Sequence, residues 1–237
     1  MARVQFQSRL DMLEASLQEQ GEVVLRSVRG AMDALERRDV ELCDEVIRFD
    51  DEIDTRYHRI EKDVEEVLAQ QSPVATDLRL VLAILHDSIH LERIGDQSVT
   101  VAKLTKLSHE LERQHDLAEG LQEMGDRAEE MVRIALDSFA ERDVERAREL
   151  VDLDELIDRV NRRVVDQVLA ASRPENQEWG MRMIVVARCI ERIGDNAVDI
   201  GEQTAFVVTG EFHEFADASA SVDVTNDGEG GSSRRHS

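Results

Sequence analysis

An all-α fold, built as two tandem three-helix bundles related by a pseudo-twofold axis, is predicted by three properties of the chain. Its 237 residues are 41% hydrophobic but only 3% aromatic, with two prolines, a composition that favours long helices over sheets. Apolar residues recur at spacings of three and four, the period of a helix with one buried face. The sequence also repeats: RDVELCDEVIRFDDEID, beginning at Arg38, returns as RDVERARELVDLDELID, beginning at Arg142. One structural unit is therefore expected twice.

The first helix is drawn by Leu10, Leu13, Leu17, Val24, Val28, Ala31 and Leu35, which form a single apolar stripe. ERRD interrupts that stripe and places Asp39 as the N-cap of the second helix. Cys43, Val46, Ile53, Tyr57, Ile60, Val64 and Val67 continue the helical period up to QQSP, where Ser72 is expected to cap and Pro73 to take the first helical position. The third helix follows Leu78, Val81, Leu85, Val99 and Ala102 and fades near Ser108.

The second copy repeats the pattern as helices over roughly 116–140, 143–171 and 175–208. Leu13 matches Leu117, Leu17 matches Leu121, Val28 matches Val132 and Leu35 matches Phe139, all at the 104-residue offset that separates Arg38 from Arg142. Beyond Pro73 and Pro174 the offset falls to 99, so the loop absorbs the difference. The expected units are 1–112, 113–212 and a polar tail over 213–237, which from about Ala216 has too few apolar residues to pack.

Charge narrows the function. A formal net charge of −23 and a pI near 4.6 repel phosphate backbones and anionic membrane surfaces, which argues against nucleic acid as a partner and favours metal cations or basic protein surfaces. Cys43 and Cys189 form no CxxC motif and no secretory signal leads the chain, so the expected location is the cytoplasm. The longest apolar runs, such as LVLAIL at Leu80–Leu85, fall far short of the roughly 20 residues that span a bilayer.

The candidate site comes from a second repeated motif. ERIGD occurs at Glu92–Asp96 and at Glu191–Asp195, each time with two acids four apart, a pair that costs an isolated helix roughly 0.2–0.5 kcal/mol. Short turns make neighbouring helices antiparallel, so residues equidistant from a turn share a level. Counting outward from Pro73 brings Asp50 opposite Asp96 and Asp54 opposite Glu92; counting from Pro174 brings Asp154 opposite Asp195 and Asp158 opposite Glu191.

Glu92 falls in the apolar seam of its helix, between Ser88 and Gly95, and Asp50 and Asp154 replace apolar residues in theirs. Burial and like charge both raise carboxyl pKa. A hard cation with oxygen ligands, such as Mg, Mn, Ca or Fe, would resolve the conflict in each bundle. The competing reading is plain ion pairing, with Arg93 and Arg192 beside the motif and Arg48, Arg56 and Arg159 on the partner helices.

The two ERIGD segments, SPVATDLR at Ser72–Arg79 and EQTAFVVTGE at Glu202–Glu211 resemble the PhoU family of phosphate-uptake regulators, over roughly residues 5–212. The resemblance implies two similar three-helix bundles and a regulator without catalytic residues. It implies negative control of phosphate uptake and of the phosphate-starvation response, exerted between the ATPase subunit of a phosphate ABC transporter and a phosphate-sensing histidine kinase. It further implies metal clusters, of iron, zinc or other metals, on Asp50, Asp54, Glu92, Asp96, Asp154, Asp158, Glu191 and Asp195. The expected assembly is a homo-oligomer, a dimer in particular.

The chain departs from the family pattern where PENQEWG replaces PVATDLR in the second copy, and where Asn196 follows the second ERIGD in place of the family's frequent histidine, with Gln97 after the first. Asp199 adds a third acid to the second face, which would make the two sites unequal.

Other features attract simpler readings. His86 and His90 form an HxxxH, but His90 lies about 200° around the helix from Glu92 and does not join that acidic face. Trp179 reads as packing at a helix start, and Gly95 and Gly194 as residues that let helices approach closely. The alternatives to a regulator are an accessory subunit of a different phosphate transporter and a carboxylate-bridged oxidase on a helical bundle. An oxidase would need paired ExxH motifs, and the nearest case, Glu112 to His115, falls in an expected loop.

Overall fold

The computed structural model describes residues 2–170 and 174–215. Six α-helices are formed: α1 Ala2–Arg37, α2 Val40–Gln71, α3 Thr76–Ser108, α4 His115–Glu141, α5 Val144–Ala170 and α6 Pro174–Thr209, with no strand among the described residues. The all-α prediction and the helix order therefore hold. The predicted tail from 216 onward lies outside the described residues.

The helices bury most of the stripes that their spacing predicts, with Tyr57, Leu78 and Leu85 only half-buried. On α1, Leu10, Leu13, Leu17, Val24, Val28, Ala31 and Leu35 are all buried; on α4 their counterparts Leu117, Leu121, Val132 and Phe139 are as well. Full burial of such side chains is worth about 1.5–3 kcal/mol each, so the stripes hold the helices together. One continuous apolar cluster runs through both repeats. A polar pair interrupts it: Gln20 Nε2 donates to the Ser88 carbonyl at 3.0 Å and Ser88 Oγ donates to Gln20 Oε1 at 2.7 Å, so both buried side chains are satisfied.

The turns inside each repeat are built alike. Arg38 (φ 58°) and Arg142 (φ 59°) take the left-handed conformation that ends a helix. Asp39 then caps α2 by accepting from the Glu41 and Leu42 amides at 2.9 and 3.1 Å, and Asp143 accepts from the Arg146 amide at 3.1 Å. The turn after α2 differs from expectation. Ser72 (φ 46°) terminates α2 rather than capping α3, Ala75 also takes a positive φ (49°), and α3 starts only at Thr76. Pro73 therefore belongs to the connection, because the chain is still turning when it reaches that residue.

Within each repeat the three helices pack against one another, and the repeats join through α3 against α6 and α1 against α4. The reciprocal contacts of Gly21 with Leu136 and of Gly125 with Met32 express the pseudo-twofold. Arginines clamp the link between repeats: Arg38 donates to the carbonyls of His109 and Leu111, Arg182 to that of Leu107, and Arg113 to that of Glu36. The bonds to Leu107 and His109 occupy carbonyls at the end of α3, and that to Glu36 a carbonyl in the last turn of α1, which would otherwise lack donors.

Candidate functional site

The antiparallel pairing of α2 with α3 brings Asp50, Asp54, Glu92 and Asp96 into one groove. Gly95 makes the close approach possible, since a Cβ added there would lie 2.7 Å from Ile53 Cδ1. Asp50 and Glu92 are half-buried at the seam, while Asp54 and Asp96 reach solvent. Burial pushes the Asp50 carboxyl above its usual range, and Asp96 and Asp54 push it further, against the opposing charge of Lys103. Glu92 is raised by burial, then by Asp96 and Asp54, with Arg93 opposing. Asp96 is raised by burial and by Asp54, again against Lys103. Asp50, Glu92 and Asp96 thus each feel a carboxylate on the facing helix.

The second groove lies between α5 and α6. A Cβ on Gly194 would stand 2.9 Å from Asp154 Oδ1, so the carboxylate of one helix rests on the bare backbone of the other. Glu191, only 8% exposed, is raised by burial, lowered by Arg188 and raised again by Asp195 and Asp158. Its carboxylate bonds Arg188, and Asp158 pairs with Arg162 at 3.5 Å.

Ion pairing therefore accounts for the two grooves unequally. Among the described residues none of Asp50, Asp54, Glu92 and Asp96 is ion-paired; Arg56, expected as a partner, instead bridges Glu52 and Glu19 at 3.0 Å each. In the second groove Arg188 and Arg162 take part, neither of them singled out in the sequence.

The donor set, all carboxylate oxygen, fits a hard cation. In the present side-chain arrangement no group of three His, Cys, Asp or Glu residues among those described is gathered tightly enough to hold a metal ion. Asp54 and Asp96, exposed and able to change rotamer, are the residues that would have to swing inward.

His90 belongs to the site in a way its own helix does not reveal. It turns from the acidic face of α3, as expected, but reaches across to α6, with Nδ1 2.9 Å from Asn196 Oδ1 and 3.3 Å from Asp199 Oδ2. Asp199 in turn lines the second groove with Asp154, Asp195 and Glu202. His86 is exposed. Trp179 is buried, as its packing role requires. Glu112 and His115 are both exposed where the link enters α4, away from either groove.

Fold and grooves together define a class: a duplicated three-helix bundle with a DxxxD helix facing an ExxxD helix in each half. The PhoU domain family model matches residues 17–105 and again 121–204, and the chain belongs to that family. The phosphate-specific transport system accessory protein PhoU homolog of Clostridium acetobutylicum is 30% identical over 213 residues, covering 89% of this chain and 97% of the relative. Its namesake in Pseudomonas aeruginosa is 32% identical over 215 residues, covering 87% of this chain and 86% of the relative.

The crystal structure of PhoU from Pseudomonas aeruginosa superposes with a TM-score of 0.82 at 30% identity, covering 87% of this chain and all of that one. The phosphate transport system regulatory protein PhoU from Streptococcus pneumoniae gives 0.82 at 27% identity, covering 88% of this chain and 99% of the other. No helix among the described residues is long and apolar enough to cross a membrane.

Proposed function

We propose that this protein is a non-catalytic negative regulator of phosphate uptake and of the phosphate-starvation response. It acts in the cytoplasm, as a homodimer, between the ATPase subunit of a phosphate ABC transporter and a phosphate-sensing histidine kinase. Each bundle carries a carboxylate cation site, on Asp50, Asp54, Glu92 and Asp96 in the first and on Asp154, Asp158, Glu191 and Asp195 in the second. The family and the names of its relatives, accessory proteins of phosphate-specific transport, support the biological role.

The observation that carries the cation reading is the first groove, where four carboxylates meet, burial and neighbouring acids raise Asp50, Glu92 and Asp96, and none of the four is ion-paired among the described residues. Iron, manganese, magnesium or zinc would supply the missing positive charge when bound. The chain's own part is to hold the acids in register, through Gly95 and Gly194, and to present an acidic surface to basic partners.

The test is affinity capture of the full chain from phosphate-replete cells, with and without a chelator in the lysate. Recovery of the transporter ATPase and the sensor kinase is expected. Recovery of an unrelated metabolic complex, with neither of these, would overturn the regulatory role.

A further inference from the structure

Arg142 stands between two acids, one near the surface and one in the core. It follows α4 in the left-handed conformation, with its guanidinium 4.8 Å over the ring of the buried Phe139. Nη1 donates to the Phe139 carbonyl and Nη2 to Glu14 Oε1 of α1, so the side chain ties the second repeat to the first. On the core side lies Asp87 of α3, fully buried, with neither carboxylate oxygen hydrogen-bonded among the described residues and with Arg142 as the charge that acts on it. A buried carboxylate without a donor is costly enough that the group keeps its proton.

The pseudo-twofold offers a comparison within the same chain. Arg142 corresponds to Arg38, Glu14 to Ala118 and Asp87 to Val186, at the offsets of 104 and 99. Arg38 takes the same backbone conformation, lies beside Ala118 and donates to the carbonyls of His109 and Leu111. Both acids are therefore particular to Arg142. Ending a helix and joining the repeats requires neither, because Arg38 does both without them.

Other charges at the level of Asp87 are committed elsewhere. Gln20 on the Ser88 carbonyl, Leu136 over Gly21, His90 on Asn196 and Asp50 beside Asp96 set α1, α4, α6 and α2 against this part of α3. At that level Glu19 of α1 pairs with Arg56 at 3.0 Å, Arg59 of α2 with Asp63 at 3.9 Å and Asp137 of α4 with Arg146 at 2.8 Å. Glu202 of α6 accepts from the Phe215 amide at 2.6 Å. On α3 itself His86 is exposed and His90 reaches α6. Arg142 is left as the cation that can answer a charge on Asp87.

We propose that Arg142 is a two-position latch between the repeats, held outward on Glu14 while Asp87 carries a proton and drawn inward to Asp87 when that proton is lost. An ionised Asp87 needs a cation more than Glu14 does, since the Glu14 side chain is 36% exposed and water can take over its charge. A guanidinium turned inward leaves Glu14, so ionisation exchanges a tie between α1 and the α4–α5 turn for a buried ion pair. Linkage makes the effect reciprocal: releasing Arg142 from Glu14 makes Asp87 easier to ionise. The first repeat, with Val186 and Ala118 around Arg38, has no such device.

Carboxyl 13C NMR of the full chain, labelled in its aspartates, tests the first half, with the Asp87 signal assigned by its loss in Asp87→Asn. Asp87 should be protonated at pH 6 and ionise at higher pH, and Glu14→Gln should raise its acid constant at least twofold. An Asp87 ionised at pH 6, still protonated at the highest pH at which the chain stays folded, or indifferent to Glu14→Gln would overturn the latch. A double-mutant cycle of Glu14→Gln and Arg142→Gln, read by urea denaturation, tests the second half. At pH 6 the pair should couple by about two- to fivefold in the unfolding constant, and above the Asp87 midpoint the coupling should vanish. In an Asp87→Asn background it should persist at both. Coupling absent at pH 6, unchanged above the midpoint, or lost equally in Asp87→Asn would overturn the latch.

Discussion

Gly21 of α1 lies beneath Leu136 of α4, so close that a Cβ at Gly21 would stand 2.6 Å from Leu136 Cδ1; the pseudo-twofold repeats the contact as Gly125 beneath Met32. Two glycines in the middle of long helices give up about 1 kcal/mol each in helix propensity. The bare backbone lets the two repeats dock with large side chains fitted into the gap. Gly21→Ala should therefore lower stability despite the better propensity, by about 1 kcal/mol net, since overpacking costs about 1–3 kcal/mol. Adding Leu136→Val should recover part of the loss, a non-additive result in a double-mutant cycle by urea denaturation. Additive effects would mean that the repeats do not meet through this pair.

Asp87 gives the stability of this protein a pH dependence of defined sign. It is fully buried in α3, its two carboxylate oxygens have no hydrogen-bond partner among the described residues, and its counterpart in the second repeat is Val186. Burial raises its carboxyl well above the usual range, with Arg142 opposing. A group that holds its proton more tightly in the folded state favours folding at low pH, and the advantage is lost as pH rises from the unfolded carboxylate value through the raised folded one.

Wild type should lose up to about 1.4 kcal/mol per pH unit from this group across that window. Asp87→Val should remove that component and be more stable than wild type at neutral pH. Asp50, Glu92, Asp96, Glu191 and Glu202 are raised in the same direction, so the difference between the two proteins is what reports Asp87. Parallel profiles from pH 4.5 to 7.5 would refute its role.

Much of the fold can be read from the chain because it is local. Spacing alone places Leu13, Leu17 and Val28 in the core, and Asp39 is recognisable as a cap from ERRD. The pairing of Asp50 with Asp96 follows from short turns and antiparallel helices, and the charge of Asp96 is among the causes that raise Asp50. What the sequence hides is set by docking between repeats or by loop geometry. His90 meets Asp199 only because α6 packs on α3, and no helical period links residues of different repeats. Ser72 and Pro73 look like a helix start, but two residues of positive φ spread that turn. Arg188 is one of many exposed arginines until the burial of Glu191 selects it.

The acidity of the surface makes a kinetic prediction. If, as proposed, a chain with formal charge −23 docks on basic patches of a transporter ATPase, it gains its speed from long-range attraction, which salt screens within about 8 Å at physiological strength. Association measured by surface-immobilised ATPase should slow by about tenfold or more from low to physiological salt, with dissociation changing less. A rate indifferent to salt would place the contact on an apolar surface instead.

Cation binding and ion pairing predict different responses of the paired ERIGD motifs. A cation that binds only the folded grooves stabilises by mass action, about 2.7 kcal/mol when its concentration is a hundred times its dissociation constant. Excess Mn2+ or Fe2+ should raise the melting temperature of wild type, and a chelator should reverse the shift. Glu92→Ala with Asp96→Ala should remove the response of the first groove while the second still responds. The same double substitution should raise stability when no metal is present, because it deletes two acids from a half-buried group of four that no ion pair offsets. In the second groove Glu191→Ala should gain less stability without metal, since Arg188 already offsets part of the charge it removes. Identical melting of wild type in excess metal and in chelator would remove the cation, leaving the acids of the first groove as a repulsion that the packing of Ile53 against Gly95 must overcome.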